Sequence, residues 1–246
     1  MDRMIYTAMT GAKHILEKQA TTSHNLANAT STGFKSQIDS FRAVPVLGEG
    51  LPTRAFVVDA TSGSDFNSGA IQSTNRSLDI AVKGDGWLTV QRADGSEAYT
   101  RNGSLKTSPN GLLQTATGLT IMGDGGPITI PPDVAVSIGK DGTVSTVNNL
   151  TLPGPSNIIG RIKLVNPPQA NLVRADDGLF TTKDGKPATA DANVSVVQGA
   201  LESSNVNVVD AMVTMISLAR QFETQMKLIQ TAENNANKAS QLLQLT

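Results

Sequence analysis

The residue types that usually catalyse reactions or bind ligands are few in this sequence, and their spacing excludes most chemistry. The two histidines, His14 and His24, fall on one predicted helix. Ten residues separate them by about 15 Å along the axis and roughly 80° around it, so they cannot share a metal ion within one chain. A Ser-His-Asp arrangement would have to borrow one of these outlying imidazoles. Asp176-Asp177-Gly178 and Asp124-Gly125-Gly126 begin like calcium loops. Neither continues with the alternating oxygen ligands such a loop needs, and both read as β-turns. No Gly-x-Gly-x-x-Gly or P-loop pattern follows a predicted strand, so phosphate has no anchor. Trp87, the single tryptophan, alternates with Thr89 and reads as core, not as a ligand platform. The expectation is a protein without catalytic residues, cofactor or metal.

Composition narrows the classes further. There is no cysteine, which removes disulfides and thiolate metal sites. Net charge is −1 with Lys and Arg scattered, so neither nucleic acid nor an anionic membrane surface is an expected partner. No apolar run approaches the roughly 20 residues of a membrane span, and direct membrane insertion is not expected. Residues 1–6 lack a basic stretch followed by an apolar one, the pattern of a cleavable secretory signal.

The elements that position these residues divide the chain into three. Residues 1–34 carry helical periodicity through Ile5, Ala8, Ala12, Ile15, Gln19, Thr22 and Leu26, with Met9 and Leu16 widening the stripe. Thr32-Gly33 supplies a stop. Residues 76–204 alternate in short runs, such as Leu78–Val82, Trp87–Arg92, Val134–Ile138 and Thr143–Val147. Turn pairs separate them, among them Asp85-Gly86, Asp94-Gly95, Asn102-Gly103, Asn110-Gly111, Asp141-Gly142 and Asp184-Gly185. This pattern predicts an antiparallel β domain. Residues 35–75, with Pro45, Gly48, Gly50, Pro52, Gly63 and Gly69, read as an extended, poorly self-supporting connector.

Residues 205–246 return to helix. Asn207 followed by Asp210 resembles a capping box. Val208, Met212, Met215, Ala219, Phe222, Met226 and Ile229 keep a four-three alternation, resumed at Ala236 and Leu243. At about 1.5 Å per residue the helix reaches on the order of 60 Å. A second, polar stripe runs through Glu223, Lys227, Gln230, Asn234, Asn237, Gln241 and Gln244. It reads either as a solvated face or as the lining of an aqueous passage. The apolar stripe needs cover, from the N-terminal helix or from another molecule. Burying a large apolar side chain contributes about 1.5–3 kcal/mol, and ordering each residue's backbone costs about 1–2 kcal/mol. The expected consequence is that neighbouring copies stabilise these ends. The fold class is therefore α+β: an antiparallel β domain in mid-chain, flanked by terminal helices that pair in an assembly.

The stretch Ser23-His24-Asn25-Leu26-Ala27-Asn28-Ala29-Thr30-Ser31-Thr32-Gly33-Phe34-Lys35 resembles the N-terminal signature of the flagellar rod and hook proteins. Gly199-Ala200-Leu201-Glu202-Ser203-Ser204-Asn205-Val206-Asn207 resembles the family's C-terminal motif, and Met212, Met215, Ile216, Arg220 and Phe222 match the helix after it. Leu78–Val82, Gly84-Asp85-Gly86, Asp94-Gly95-Ser96 and Tyr99–Ser104 resemble the shared β-domain core. Trp87-Leu88 stands where distal-rod and hook members usually place Phe-Phe, as is typical of proximal-rod members. Thr32 replaces a common proline, and Ala211 a common glutamate.

The resemblance implies a structural subunit of the proximal rod, part of the drive shaft and of the axial export channel. It implies export without a Sec signal, through the flagellar type III apparatus, to the periplasm-spanning basal body. The implied partners are copies of the chain, the proximal-rod proteins FlgB and FlgC and the distal-rod protein FlgG. The expected assembly contacts are Ile5, Ala12, Ile15, Asn25, Leu26, Asn28, Gly33, Phe34, Leu201, Asn205, Val206, Met212, Met215, Ala219, Phe222, Met226 and Ile229. Gln230, Asn234, Asn237, Gln241 and Gln244 would face the channel. A distal-rod subunit, or a secreted β-rich binding module joined by coiled coils, are the alternatives.

Overall fold

Hydrophobic periodicity near 3.6 at both ends and near 2 in the middle produces an α+β chain, described in a computed structural model over residues 2–45, 55–148 and 155–244. It forms two compact units: residues 1–29, 36–65 and 206–246 make one, and residues 30–35 with 66–205 make the other.

The first unit is a helix hairpin with a β-ribbon. Helix α1 (Asp2–Ala27) packs against α2 (Val208–Gln244) and touches β1 (Gln37–Pro45) and β2 (Ala55–Ser64). The two strands pair antiparallel from Gln37 opposite Ser64 to Pro45 opposite Ala55, with a bulge between Ser40 and Phe41. The stretch expected as an extended connector thus contains a paired ribbon, while its Gly48, Gly50 and Pro52 lie outside the described residues. The ribbon is anchored by Asn25, whose amide donates to the Gln37 carbonyl at 2.8 Å and whose carbonyl accepts from the Gln37 amide at 2.8 Å. One side chain here completes both hydrogen bonds of a strand partner. His14 is half-buried, bonded to Glu17 at 2.8 Å and edge-on to Phe41.

The α1 stripe is its sheltered side: Ala12 is buried, and Ile5, Ala8, Ile15, Gln19, Thr22 and Leu26 are half-buried. On α2 the sheltered face is Ala211, Met215, Leu218, Phe222, Gln225 and Ile229, with Leu218 buried. This face is rotated from the expected stripe, because one partner helix covers only a narrow sector. Met212, Ala219 and Met226 therefore lie over its edge, exposed, as do Met9 and Leu16 on α1. Asn207 caps α2: its side-chain oxygen accepts from the amides of Val209 at 3.0 Å and Asp210 at 3.4 Å.

The second unit is built of short strands: β3 (Ile71–Ser73), β4 (Ile80–Lys83), β5 (Trp87–Gln91), β6 (Glu97–Thr100), β7 (Leu105–Thr107), β8 (Leu113–Thr115), β9 (Thr120–Gly123) and β10 (Gly126–Pro127). It continues with β11 (Val134–Ile138), β12 (Thr143–Asn148), β13 (Asn157–Arg161), β14 (Leu164–Val165), β15 (Leu172–Arg174), β16 (Phe180–Thr182), β17 (Ser195–Gln198) and β18 (Ala200–Glu202). The main sheet runs β15-β16-β6-β5-β9-β8-β7, with β14 on β5 and β10 on β9. β11, β12 and β13 form a smaller sheet, β17 pairs with β4, and β18 pairs with β3. All pairings are antiparallel.

Strand β5 shows why the unit has two cores. Successive side chains of a strand point to opposite faces. Leu88 and Val90 enter a large aliphatic cluster with Ile80, Val82, Leu105, Leu113, Ile121 and Ile162. Trp87 enters a second, aromatic cluster with Tyr99, Val165, Leu172 and Phe180, against Phe66. Tyr99 accepts the Ala188 amide at 2.7 Å, and burial raises its pKa. The pair Asn102-Gly103, expected as a hairpin turn, instead lies flat on β4. The Gly103 carbonyl accepts from the Ile80 amide at 3.0 Å, and a Cβ on Gly103 would overlap the Ile80 carbonyl.

Replacing the α2 cap, Asn207→Ala, should cost about 1 kcal/mol of helix stability. Hydrogen exchange at the Val209 and Asp210 amides should accelerate accordingly, with the β strands unaffected.

Candidate functional site

Three charged side chains far apart in sequence meet inside the second unit. Glu202 closes β18 and is 1% exposed; Lys35 precedes the ribbon and is 1% exposed; Arg101 follows β6 and is 3% exposed. Lys35 Nζ donates to Glu202 Oε1 at 2.6 Å, and Arg101 Nη1 donates to Oε2 at 3.0 Å. The Gly69 amide donates to Oε1 at 2.9 Å. One carboxylate is thus shared by two cations and a backbone dipole.

The second positive charge is met by carbonyls. Lys35 also donates to the Asn67 carbonyl at 2.9 Å, and Arg101 Nη2 to the Gly84 carbonyl at 2.7 Å. The Arg101 guanidinium lies 5.3 Å from the Trp87 ring centroid, where the ring's negative face favours a cation. Its Nε finds no acceptor among the described residues. Buried ions cost several kcal/mol each to desolvate, so charge pairing and carbonyl contacts are what make this arrangement tolerable.

The backbone around the triad is packed beyond what a Cβ allows. Gly33 has φ +67° and passes so close to Arg101 that a side chain would strike its backbone. Its amide donates to the Glu202 carbonyl at 2.7 Å. Gly33 does not end α1, which stops at Ala27 with the Asn28 side chain donating to the His24 carbonyl at 3.0 Å. Gly69 approaches Ser203 as closely as Gly33 approaches Arg101. Phe34 is buried beneath Arg174, whose guanidinium lies 4.5 Å from its ring centroid and donates to the Lys35 carbonyl at 2.8 Å. Burial lowers the Arg174 pKa. The Asn205 amide nitrogen donates to the Phe34 carbonyl at 3.3 Å and its side chain to the Asn67 carbonyl at 3.1 Å.

The chain passes between the two units four times, near residues 29, 35, 65 and 205. Residues at every passage enter this knot of bonds on the second unit. Its chemistry is structural: no nucleophile, acid or base is exposed in it. Among the described residues no group of three or more His, Asp or Glu is placed to hold a metal ion. Asp177 of the rejected calcium pattern instead pairs with Arg92 at 2.6 Å and accepts the Leu179 amide at 3.0 Å.

The structure gathers Gly33, Phe34 and Asn205 here, with half-buried Leu201 beside Glu202. Ile5, Ala12, Ile15, Leu26, Met215, Phe222 and Ile229 lie instead on sheltered helix faces, and Met212, Ala219 and Met226 are exposed. Asn25 and Asn28 act within their own chain. Gln230, Asn234, Asn237 and Gln241 are exposed along α2, whose last residue is Gln244, with its side chain outside those described. Lys35, Arg101, Glu202 and Gly69 were absent from the sequence-derived site. The available signal was a lone charge in each of three motifs.

These motifs carry a known ancestry. A family model described as the flagellar hook protein FlgE/F/G D1 domain matches residues 81–146, and one described as flagellar basal body rod FlgEFG protein C-terminal matches residues 197–242. The chain belongs to the flagellar rod and hook protein family. It is 46% identical to flagellar basal-body rod protein FlgF of Escherichia coli and 44% identical to that of Salmonella typhimurium, over 100% of both chains in each case. Flagellar basal-body rod protein FlgG of Bacillus subtilis is 29% identical, over 95% of this chain and 96% of that protein.

Removing the shared carboxylate by Glu202→Ala should destabilise the second unit by about 3–5 kcal/mol, because it strands two buried cations. Urea unfolding followed by the single tryptophan, Trp87, measures this. The combined change Lys35→Met, Arg101→Met, Glu202→Leu should recover much of the loss.

Proposed function

We propose that this chain is a structural subunit of the proximal rod of the bacterial flagellar basal body, incorporated through its helix hairpin. The observation that carries this reading is the apolar surface left open after the two helices have paired. Val209, Met212, Val213 and Ile216 on α2 are 67%, 50%, 62% and 58% exposed. A row of large apolar side chains on a helix needs cover from another chain. The full-length identity to FlgF proteins, higher than that to FlgG proteins, supports the proximal position.

On this reading the partners are copies of the chain and the rod proteins FlgB, FlgC and FlgG, and delivery is through the type III export apparatus. The location is the basal body across the periplasm. No helix among the described residues is long and apolar enough to cross a membrane. The triad supports a torque-bearing role, since Lys35 and Glu202 lie within a few residues of chain passages between the hairpin and the β unit. The polar row Gln230, Asn234, Asn237 and Gln241 suits a wet channel wall. It occupies the same sector of α2 as the apolar row, farther along the helix.

Val213→Asp combined with Ile216→Asp tests incorporation. Both sites are open, so the free chain should lose less than about 0.5 kcal/mol. A charge buried in a subunit contact costs several kcal/mol, so motility should vanish and the chain should be missing from purified basal bodies. A swimming strain whose basal bodies contain the altered chain would sink the proposal. Met215 and Phe222 are poorer targets, because acids there would also open the hairpin.

A further inference from the structure

Residues 33–35 bring three consecutive groups to the β unit: the Gly33 amide, the Phe34 ring and the Lys35 ammonium. They belong to a six-residue piece of that unit, residues 30–35, whose neighbours in sequence on both sides belong to the first unit. A turn inside the piece shapes it locally, with the Phe34 amide donating to the Ser31 carbonyl at 3.3 Å. Its flanks are tied to each other, because the Asn25 side chain holds Gln37 by both its amide and its carbonyl.

The groups that receive this piece keep partners when it is lifted away. Glu202 Oε1 accepts from Lys35 and also from the Gly69 amide, and Oε2 is held by Arg101. The Asn67 carbonyl accepts from Lys35 and also from the Asn205 side chain at 3.1 Å. The Arg174 guanidinium lies over Phe34 and also 5.6 Å from the Phe180 ring centroid. The Glu202 carbonyl and the Asn205 amide would turn to water. Charge points the same way. With the piece seated, two buried cations share one carboxylate, and a third cation, Arg174, donates to the Lys35 carbonyl. With it lifted, Glu202 and Arg101 remain as a one-to-one pair and Lys35 regains water. The Lys35 charge is surplus, and a shared carboxylate repays its desolvation only in part.

We propose that residues 33–35 are a strap that seats on an already folded β unit and lifts from it as one step, the Lys35 charge keeping that step reversible. The stack of Phe34 on Arg174 closes it, together with the hydrogen bonds from Gly33 to Glu202 and from Asn205 to Phe34. The strap is a property of the single chain, whatever that chain assembles with.

Hydrogen exchange on the full-length chain reads the step directly. The Gly33 and Asn205 amides report the strap, while the Ile80 and Leu113 amides, bonded to the Gly103 and Ile128 carbonyls, report the strands. The two strap amides should share one opening constant, on the order of 100-fold larger than that of the strand amides. Lys35→Met keeps an unbranched side chain and removes the charge. It should lower strap opening by at least about ten-fold, because the closed state no longer carries a surplus buried ion. Phe34→Ala should raise strap opening by at least about ten-fold. Neither change should move Ile80 or Leu113. If Gly33 and Asn205 exchange only together with Ile80 and Leu113, the segment is part of the cooperative core and the strap is overturned. Faster exchange at Gly33 in Lys35→Met would make the lysine a clamp and overturn it equally.

Discussion

The Glu202 carboxylate is the interaction on which the rest of this structure depends. It is contributed by the last β strand, and it binds a lysine from the N-terminal stretch and an arginine from mid-chain. An apolar trio of similar volume could fill the same space at little loss of stability. The carboxylate is held from three sides, by Lys35, by Arg101 and by the Gly69 amide just ahead of β3. The close glycine contacts at Gly33 and Gly69 act the same way, since each admits only one depth of approach. The triad and its flanking glycines therefore combine high desolvation cost with narrow geometric tolerance. That combination suits a part that must be built one way and then carry load.

The hairpin obeys a different constraint. Two helices in contact cover only a narrow sector of each other, so an apolar surface wider than that sector is left over. α1 and α2 both exceed it. Leu218 and Ala12 are buried by the pairing, while Val209, Val213 and Ile216 are not. The β1–β2 ribbon shelters part of α1 as well, through Phe41 against His14 and Gln37 against Asn25. A self-contained monomer would have no use for the remainder.

Much of this fold was readable because its signals are local. The helix stripes, the Asn207 cap, and strands β4, β5, β11 and β12 follow from periodicity within a dozen residues. The ribbon was not readable: its glycines and prolines mask the strand pattern, and its anchor is one asparagine side chain twelve residues away. The triad was harder still, since Lys35 and Glu202 are 167 residues apart and pairing at that range leaves no periodic trace. Gly33 shows how a local explanation can miss a long-range one. Glycine there serves clearance beside Arg101, whereas helix termination was the local explanation. The α2 seam was displaced because alternation identifies the apolar residues without saying how many of them a single partner can reach.

Residues 66–205 begin and end side by side within the second unit, where the Asn205 side chain donates to the Asn67 carbonyl. Seen from the hairpin, the whole of residues 66–205 is a loop of nearly zero span. A loop whose ends already touch imposes no distance on its host, so its length and contents are free to change. A pair of helices joined through such an insert can thus carry modules of very different size, exchanged as single cassettes.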